Sequence, residues 1–153
     1  MNSIHDICKR YRIKNYTINE DGTIDVNGNV NLDNIRLTEL PLRFNKVSGD
    51  FWCGNNQLTT LKGCPRWVGG WFHCYNNQLT SLEFSPDYVG GGFSCEYNEL
   101  TDNYCDTEIG GNFCTTLNQY GMIIYNDEVT NYNEWRKIYK RKQTLNKIFD
   151  TLK

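Results

Sequence analysis

Apolar and polar residues alternate over short stretches that recur down the middle of the chain. From Val47 onward, Val47, Gly49, Phe51 and Cys53 fall on one side, and Ser48, Asp50 and Trp52 on the other. The same parity puts Val68, Gly70, Phe72 and Cys74 on one side and Gly69, Trp71 and His73 opposite. A period of two predicts a strand with one buried face. Such units begin at Val26, Val47, Val68, Val89 and Ile109, at spacings of 21, 21, 21 and 20 residues. The third residue of every unit is glycine, and the first four carry Leu-Thr at Leu37-Thr38, Leu58-Thr59, Leu79-Thr80 and Leu100-Thr101.

A fixed period near 20 residues means one small unit per repeat. Such a unit cannot bury its own apolar side and must stack on its neighbours. Stacking in register predicts a parallel sheet with strands about 4.8 Å apart. Phe51, Phe72, Phe93 and Phe113 would then form an inward ladder, backed by Leu40, Leu58, Leu61, Leu79, Leu82 and Leu100. Asn56, Asn77 and Asn98 fall where the chain must leave the strand. Their carboxamides can pair backbone groups that the turn orphans. Pro65 and Pro86 close two coils.

The ends read as caps. Residues 3–12 predict a short helix with Ser3 as N-cap and Ile4, Ile7, Cys8 and Tyr11 on one face. Residues 16–26 read as a hairpin turning at Asp21-Gly22, placed to cover an open sheet edge. Residues 121–127 predict a last strand. From Asn133 the apolar period becomes helical, through Trp135, Ile138, Tyr139, Leu145, Ile148, Phe149 and Leu152. The division is therefore an N-terminal cap over 1–25, a solenoid over 26–120 and a closing strand and helix over 121–153. The three form one compact, mainly β domain.

Composition narrows the function classes. A hydrophobic fraction of 39% and an aromatic fraction of 14% are too high for a disordered chain. No apolar run approaches the roughly 18 residues of a membrane span. The opening residues lack a secretory h-region, so a soluble protein in the cytoplasm is expected. Seven cysteines then read as free thiols. Cys53, Cys74 and Cys95 would line up in a straight row that cannot converge on a tetrahedral metal, so no metal or cofactor is expected. The net charge of −2 hides an asymmetry. Residues 134–153 hold seven basic and two acidic groups, a net +5, against −7 for the rest. Arg136, Lys137, Lys140, Arg141 and Lys142 form either a solvated helix face or a contact for nucleic acid or an acidic partner.

The phrases "GDFWCGNNQLTTLKGCP" and "YTINEDGTIDVNGNVNL" resemble the short leucine-rich-repeat-like proteins of bacteriophage genomes. The resemblance spans about residues 15–117. It implies a binding module and leaves the partner open. The first unit departs at Ile35, the fourth at Asn103 and the fifth at Cys114, as terminal repeats do.

Candidate chemistry lies on the outward strand places. Asn27, Asn29, Asn31, Ser48 and Asn112 are there, and so are Asp50, Trp52, Trp71, His73, Tyr75, Ser94 and Glu96. His73 and Ser94 face each other without an orienting carboxylate or an oxyanion hole, so no catalytic residue is assigned. Exposed tryptophan and tyrosine among polar residues compose an interface hot spot. The expected function is a non-enzymatic protein-binding module. By analogy with small phage proteins it is an inhibitor of a host defence nuclease complex such as a CRISPR effector. Binding of RNA or other nucleic acid through the basic helix, and a phage structural or assembly role, are the alternatives.

Overall fold

The computed structural model describes residues 3–101, 106–111 and 113–114. Helix α1 (Ile4–Arg10) opens the chain, and its start is written in the sequence. The Ser3 hydroxyl accepts from the Asp6 N–H at 3.2 Å, and the Ser3 N–H donates to the Asp6 carboxylate at 3.1 Å. This reciprocal capping box pairs two donors that the first turn would leave orphaned. Hydrogen bonds from Ser3 lower the Asp6 carboxyl below its ordinary value. Cys8 is buried under the helix, with Ile4, Ile7 and Tyr11 packed against the core.

The rest is a solenoid of about 21 residues per turn, with two short strands in each turn. β1 (Tyr16–Ile18) and β2 (Ile24–Val26) form the antiparallel hairpin, with Gly22 at φ 77° in its turn. Then come β3 (Val30–Asn31), β4 (Phe44–Val47), β5 (Phe51–Trp52), β6 (Trp67–Val68) and β7 (Phe72–His73). β8 (Tyr88–Val89), β9 (Phe93–Ser94), β10 (Glu108–Ile109) and β11 (Phe113–Cys114) complete the series. They build two sheets. The first runs β1-β2-β4-β6-β8-β10 and the second β3-β5-β7-β9-β11, parallel throughout except at the hairpin.

The alternating stretch expected as one strand is thus two strands with a corner between them. The corner falls at the second and third residues of each unit, Gly69-Gly70 and Gly90-Gly91 in the middle coils. The coils approach most closely here. A Cβ on Gly91 would come within 2.9 Å of the Gly70 carbonyl, and one on Gly111 within 2.9 Å of the Gly91 carbonyl oxygen. A side chain would push the coils apart, so the repeated glycine is a requirement of stacking.

The inward parity holds in both sheets. Val47, Val68 and Val89 are fully buried inside the first sheet, as are Phe51, Phe72 and Phe93 inside the second. Phe51 stacks on Phe72 at 5.7 Å, and Phe72 meets Phe93 edge-on at 5.0 Å. Cys53, Cys74 and Cys95 are fully buried in one column. Burial pushes the Cys53 thiol well above its ordinary range, which disfavours the reactive thiolate.

Each asparagine staples two coils. Asn77 Nδ2 donates to the carbonyls of Cys53 and Cys74 at 3.0 Å, and its Oδ1 accepts from Leu58 N at 3.0 Å. Asn56 and Asn98 repeat the pattern one coil to either side. The preceding residues, Asn34, Asn55, Asn76 and Tyr97, all have φ between 49° and 60°. Asparagine tolerates this left-handed turn better than tyrosine does. The closing strand at 121–127, the helix from 133 and the basic residues Arg136, Lys137, Lys140, Arg141 and Lys142 lie outside the described residues. Among the described residues no helix is long and apolar enough to cross a membrane.

Candidate interaction face

The outward side of the second sheet is a grid, because residues 21 apart stack in register. One column holds Asn29, Asp50, Trp71 and Gly92. The next holds Asn31, Trp52, His73 and Ser94, and the third Asp33, Gly54, Tyr75 and Glu96. The register pairs Trp52 with His73 and His73 with Ser94, so His73 has the two neighbours expected from the repeat.

Four aromatic side chains meet in the middle two coils. The His73 ring lies 6.1 Å from Trp52 and 5.5 Å from Trp71, at 9° to each. Tyr75 meets it edge-on at 6.2 Å. Two glycines make room. The Trp71 ring occupies the space a side chain at Gly92 would need, and the Tyr75 ring lies over Gly54. Two of the three large residues of this coil, Trp71 and Tyr75, are therefore seated on gaps in its neighbours, one toward each end of the stack. Trp71 remains 37% exposed, enough to offer a ring face to a partner.

The polar groups of the grid hold this cluster in place. Asn29 Oδ1 accepts from Asp50 N at 2.9 Å, and Asp50 Oδ1 accepts from Trp71 N at 2.7 Å. Asp50 thus anchors the backbone of Trp71. Tyr75 reaches back two coils to donate to Asp33 Oδ2 at 3.1 Å, while Asn55 Nδ2 donates to the same phenol oxygen at 3.1 Å. Asp33 Oδ1 also accepts from Gly54 N at 2.6 Å. Burial first, then the Asp33 carboxylate, raises the Tyr75 phenol above its ordinary value. Ser94 is buried and donates its hydroxyl to Glu96, not to His73. The facing serine and histidine therefore do not form a nucleophile–base pair.

Among the described residues none hydrogen-bonds to the His73 imidazole. Burial between the indoles lowers its pKa, and Asp33, Asp50 and Glu96 pull the other way without prevailing. The shift favours the neutral ring near pH 7. The grid brings together all seven candidate face residues, with Asp50 and Ser94 in supporting positions. Asp33, Gly54 and Gly92 were missed. Asp33 lies just past the end of β3. The two glycines were legible only as gaps in columns that carry tyrosine or tryptophan one coil away.

Sequence reasoning also passed over the outward side of the first sheet. There Lys46, Trp67, Tyr88 and Glu108 stand in register. Trp67 stacks on Tyr88 at 5.7 Å, and Lys46 Nζ sits 4.5 Å from the Trp67 ring centre. Beside them Arg66 pairs with Asp87 at 2.8 Å. The residue before each unit's valine falls outside the alternating stretch read from the sequence, which hid this ladder. Comparison of the chain with protein-family models, curated proteins and solved structures finds no match.

Proposed function

We propose that this protein is a binding module that docks a protein partner through the face centred on His73. The observation that carries the proposal is the parallel stack of Trp52, His73 and Trp71 at 9°, seated on a rigid sheet with Trp71 exposed. Aromatic residues held in place by packing lose little conformational freedom on binding, which makes them efficient anchors. The carboxylates of Asp33, Asp50 and Glu96 border the stack and disfavour phosphate there. A protein is therefore favoured over nucleic acid at this site.

The narrower reading is that of a short leucine-rich-repeat-like phage protein that inhibits a host defence nuclease complex, as anti-CRISPR proteins do. It draws on the repeat phrases and on the analogy with small phage proteins. The test is cleavage by a panel of purified CRISPR effector nucleases, with and without the full-length protein. Inhibition by the native chain and its loss in Trp71→Ala supports the reading. A chain that inhibits none of them, yet is captured from lysate only while nucleic acid is intact, would instead favour contact through the basic segment.

A further inference from the structure

We propose that the face binds an arginine side chain of its protein partner, with the guanidinium on the exposed Trp71 indole at the stack and Glu96 as its counter-ion. The inference rests on the docking reading above and names the chemistry of the docked group.

Two independent observations support it. The first is an unbalanced charge. Asp33, Asp50 and Glu96 all act on His73 through their charge. Among the described residues the ion pairs are Arg43–Asp21 and Arg66–Asp87, so no cation answers these three carboxylates. Asp50 spends Oδ1 on Trp71 N and Glu96 spends Oε2 on Ser94, which leaves Asp50 Oδ2 and Glu96 Oε1 without a described hydrogen bond. The second is the shape of the aromatic surface. The Trp71 indole stacks parallel to the His73 ring and stays 37% exposed, so its exposed part is a flat platform. A planar guanidinium stacks on such a platform and offers several N–H donors at its rim, whereas an ammonium cannot stack. The neutral His73 ring adds no opposing charge.

The other aromatic face shows what a satisfied version looks like. Trp67 already carries Lys46 at 4.5 Å, and the neighbouring Asp87 already carries Arg66. A cation from the chain occupies that ladder. The face around His73 lacks one among the described residues.

The experiment titrates the full-length protein with a short unstructured Gly-Ser peptide carrying three arginines, read by calorimetry and tryptophan fluorescence. Matched peptides carry lysine or neutral citrulline instead. The arginine peptide should bind at least about fivefold more tightly than the citrulline peptide, and more tightly than the lysine peptide. Glu96→Gln and Trp71→Leu should each weaken it by about fivefold. Glu108→Gln and Trp67→Leu, on the other sheet, should leave it unchanged, which separates this site from bulk attraction to an acidic protein. Equal binding of arginine and citrulline peptides, or full affinity in Glu96→Gln, overturns the proposal. So does a gain of more than about fivefold on reversing Lys140, Arg141 and Lys142 to glutamate, because the chain's own basic segment would then be the occupant. If no peptide binds but Trp71→Ala still relieves nuclease inhibition, the docking reading stands and the arginine inference alone falls.

Discussion

The two outward faces of this solenoid are written by the same repeat and differ in what they leave unfinished. On the first sheet, Lys46, Trp67 and Tyr88 stack as a ladder, and Arg66 neutralises Asp87 beside it. On the second, Trp52, His73 and Trp71 stack equally well but are bordered by carboxylates with no described cation. Both ladders follow from parallel register, which places like positions side by side whatever their chemistry. Aromatic stacking in such a fold is thus a poor marker of function by itself. What distinguishes the second face is the exposed Trp71 ring on its stack together with the charge that remains around it. One face carries the chain's own cations, and the other carries none among the described residues.

The comparison can be broken most severely from beneath. Phe72 is fully buried between Phe51 and Phe93, under both faces. Phe72→Ala should cost roughly 3–5 kcal/mol in chemical denaturation, the range for a large aromatic truncated in a packed core. The loss should spread to adjacent coils, since each supports the next. An unchanged melting temperature would show that the inward parity is reversed.

Asn77→Ala should come second. It leaves the Leu58 N–H unpaired and takes one of two donors from each of the Cys53 and Cys74 carbonyls, which keep Asn56 and Asn98. Each buried group left unpaired costs about 1–3 kcal/mol, partly relieved if water enters. Hydrogen exchange should locate the weakening at the corner shared by the two middle coils. Protection lost evenly over the whole chain would argue against a local staple.

The two faces are separated directly by matched truncations. Trp71→Ala should lower partner affinity by about 2 kcal/mol while Trp67→Ala leaves it nearly unchanged, as measured by calorimetry with any nuclease that the proposed cleavage assay shows to be inhibited. Equal losses would show that the Trp67 face binds too. Neither substitution should prevent folding, because neither ring belongs to the buried core.

The smallest effect is a dependence on pH. The folded pKa of His73 lies below its ordinary value of 6.5, because burial between the indoles outweighs the nearby carboxylates. Below about pH 6.5 the unfolded chain takes up a proton that the folded chain refuses. The stability contributed by the neutral ring is therefore complete above that pH. It declines as the pH falls toward the folded pKa, below which it changes no further. A proton-resonance titration should place the His73 midpoint below 6.5, and His73→Gln should flatten the slope of stability over the same window. A midpoint above 6.5 would mean that the carboxylates dominate the site.

Much of this was legible in one dimension. The 21-residue period, the inward valines, phenylalanines and cysteines and the stapling asparagines all follow from a single demand. Each coil must present its neighbour with the same surface, so the same residues recur at the same places. Ser3 with Asp6 and Asp21-Gly22 announce the cap and the hairpin, because capping and tight turns depend on residues a few positions apart. The outward cluster of Trp52, Trp71, His73 and Tyr75 was also legible, since register alone sets which positions are neighbours.

What the sequence could not decide was direction. Alternation reads the same along a straight strand and around a corner, so the division into two sheets was invisible until the coils closed on each other at the glycines. The strand before that corner carries Trp67 and Tyr88 outward as a second aromatic face. The corner also brought Asp33 against the phenol of Tyr75, two coils away. Whether a carboxylate anchors a backbone amide, as Asp50 does, or keeps an oxygen for a partner depends on angles and distances of a few ångströms. Those are set by packing in three dimensions, and no spacing along the chain encodes them.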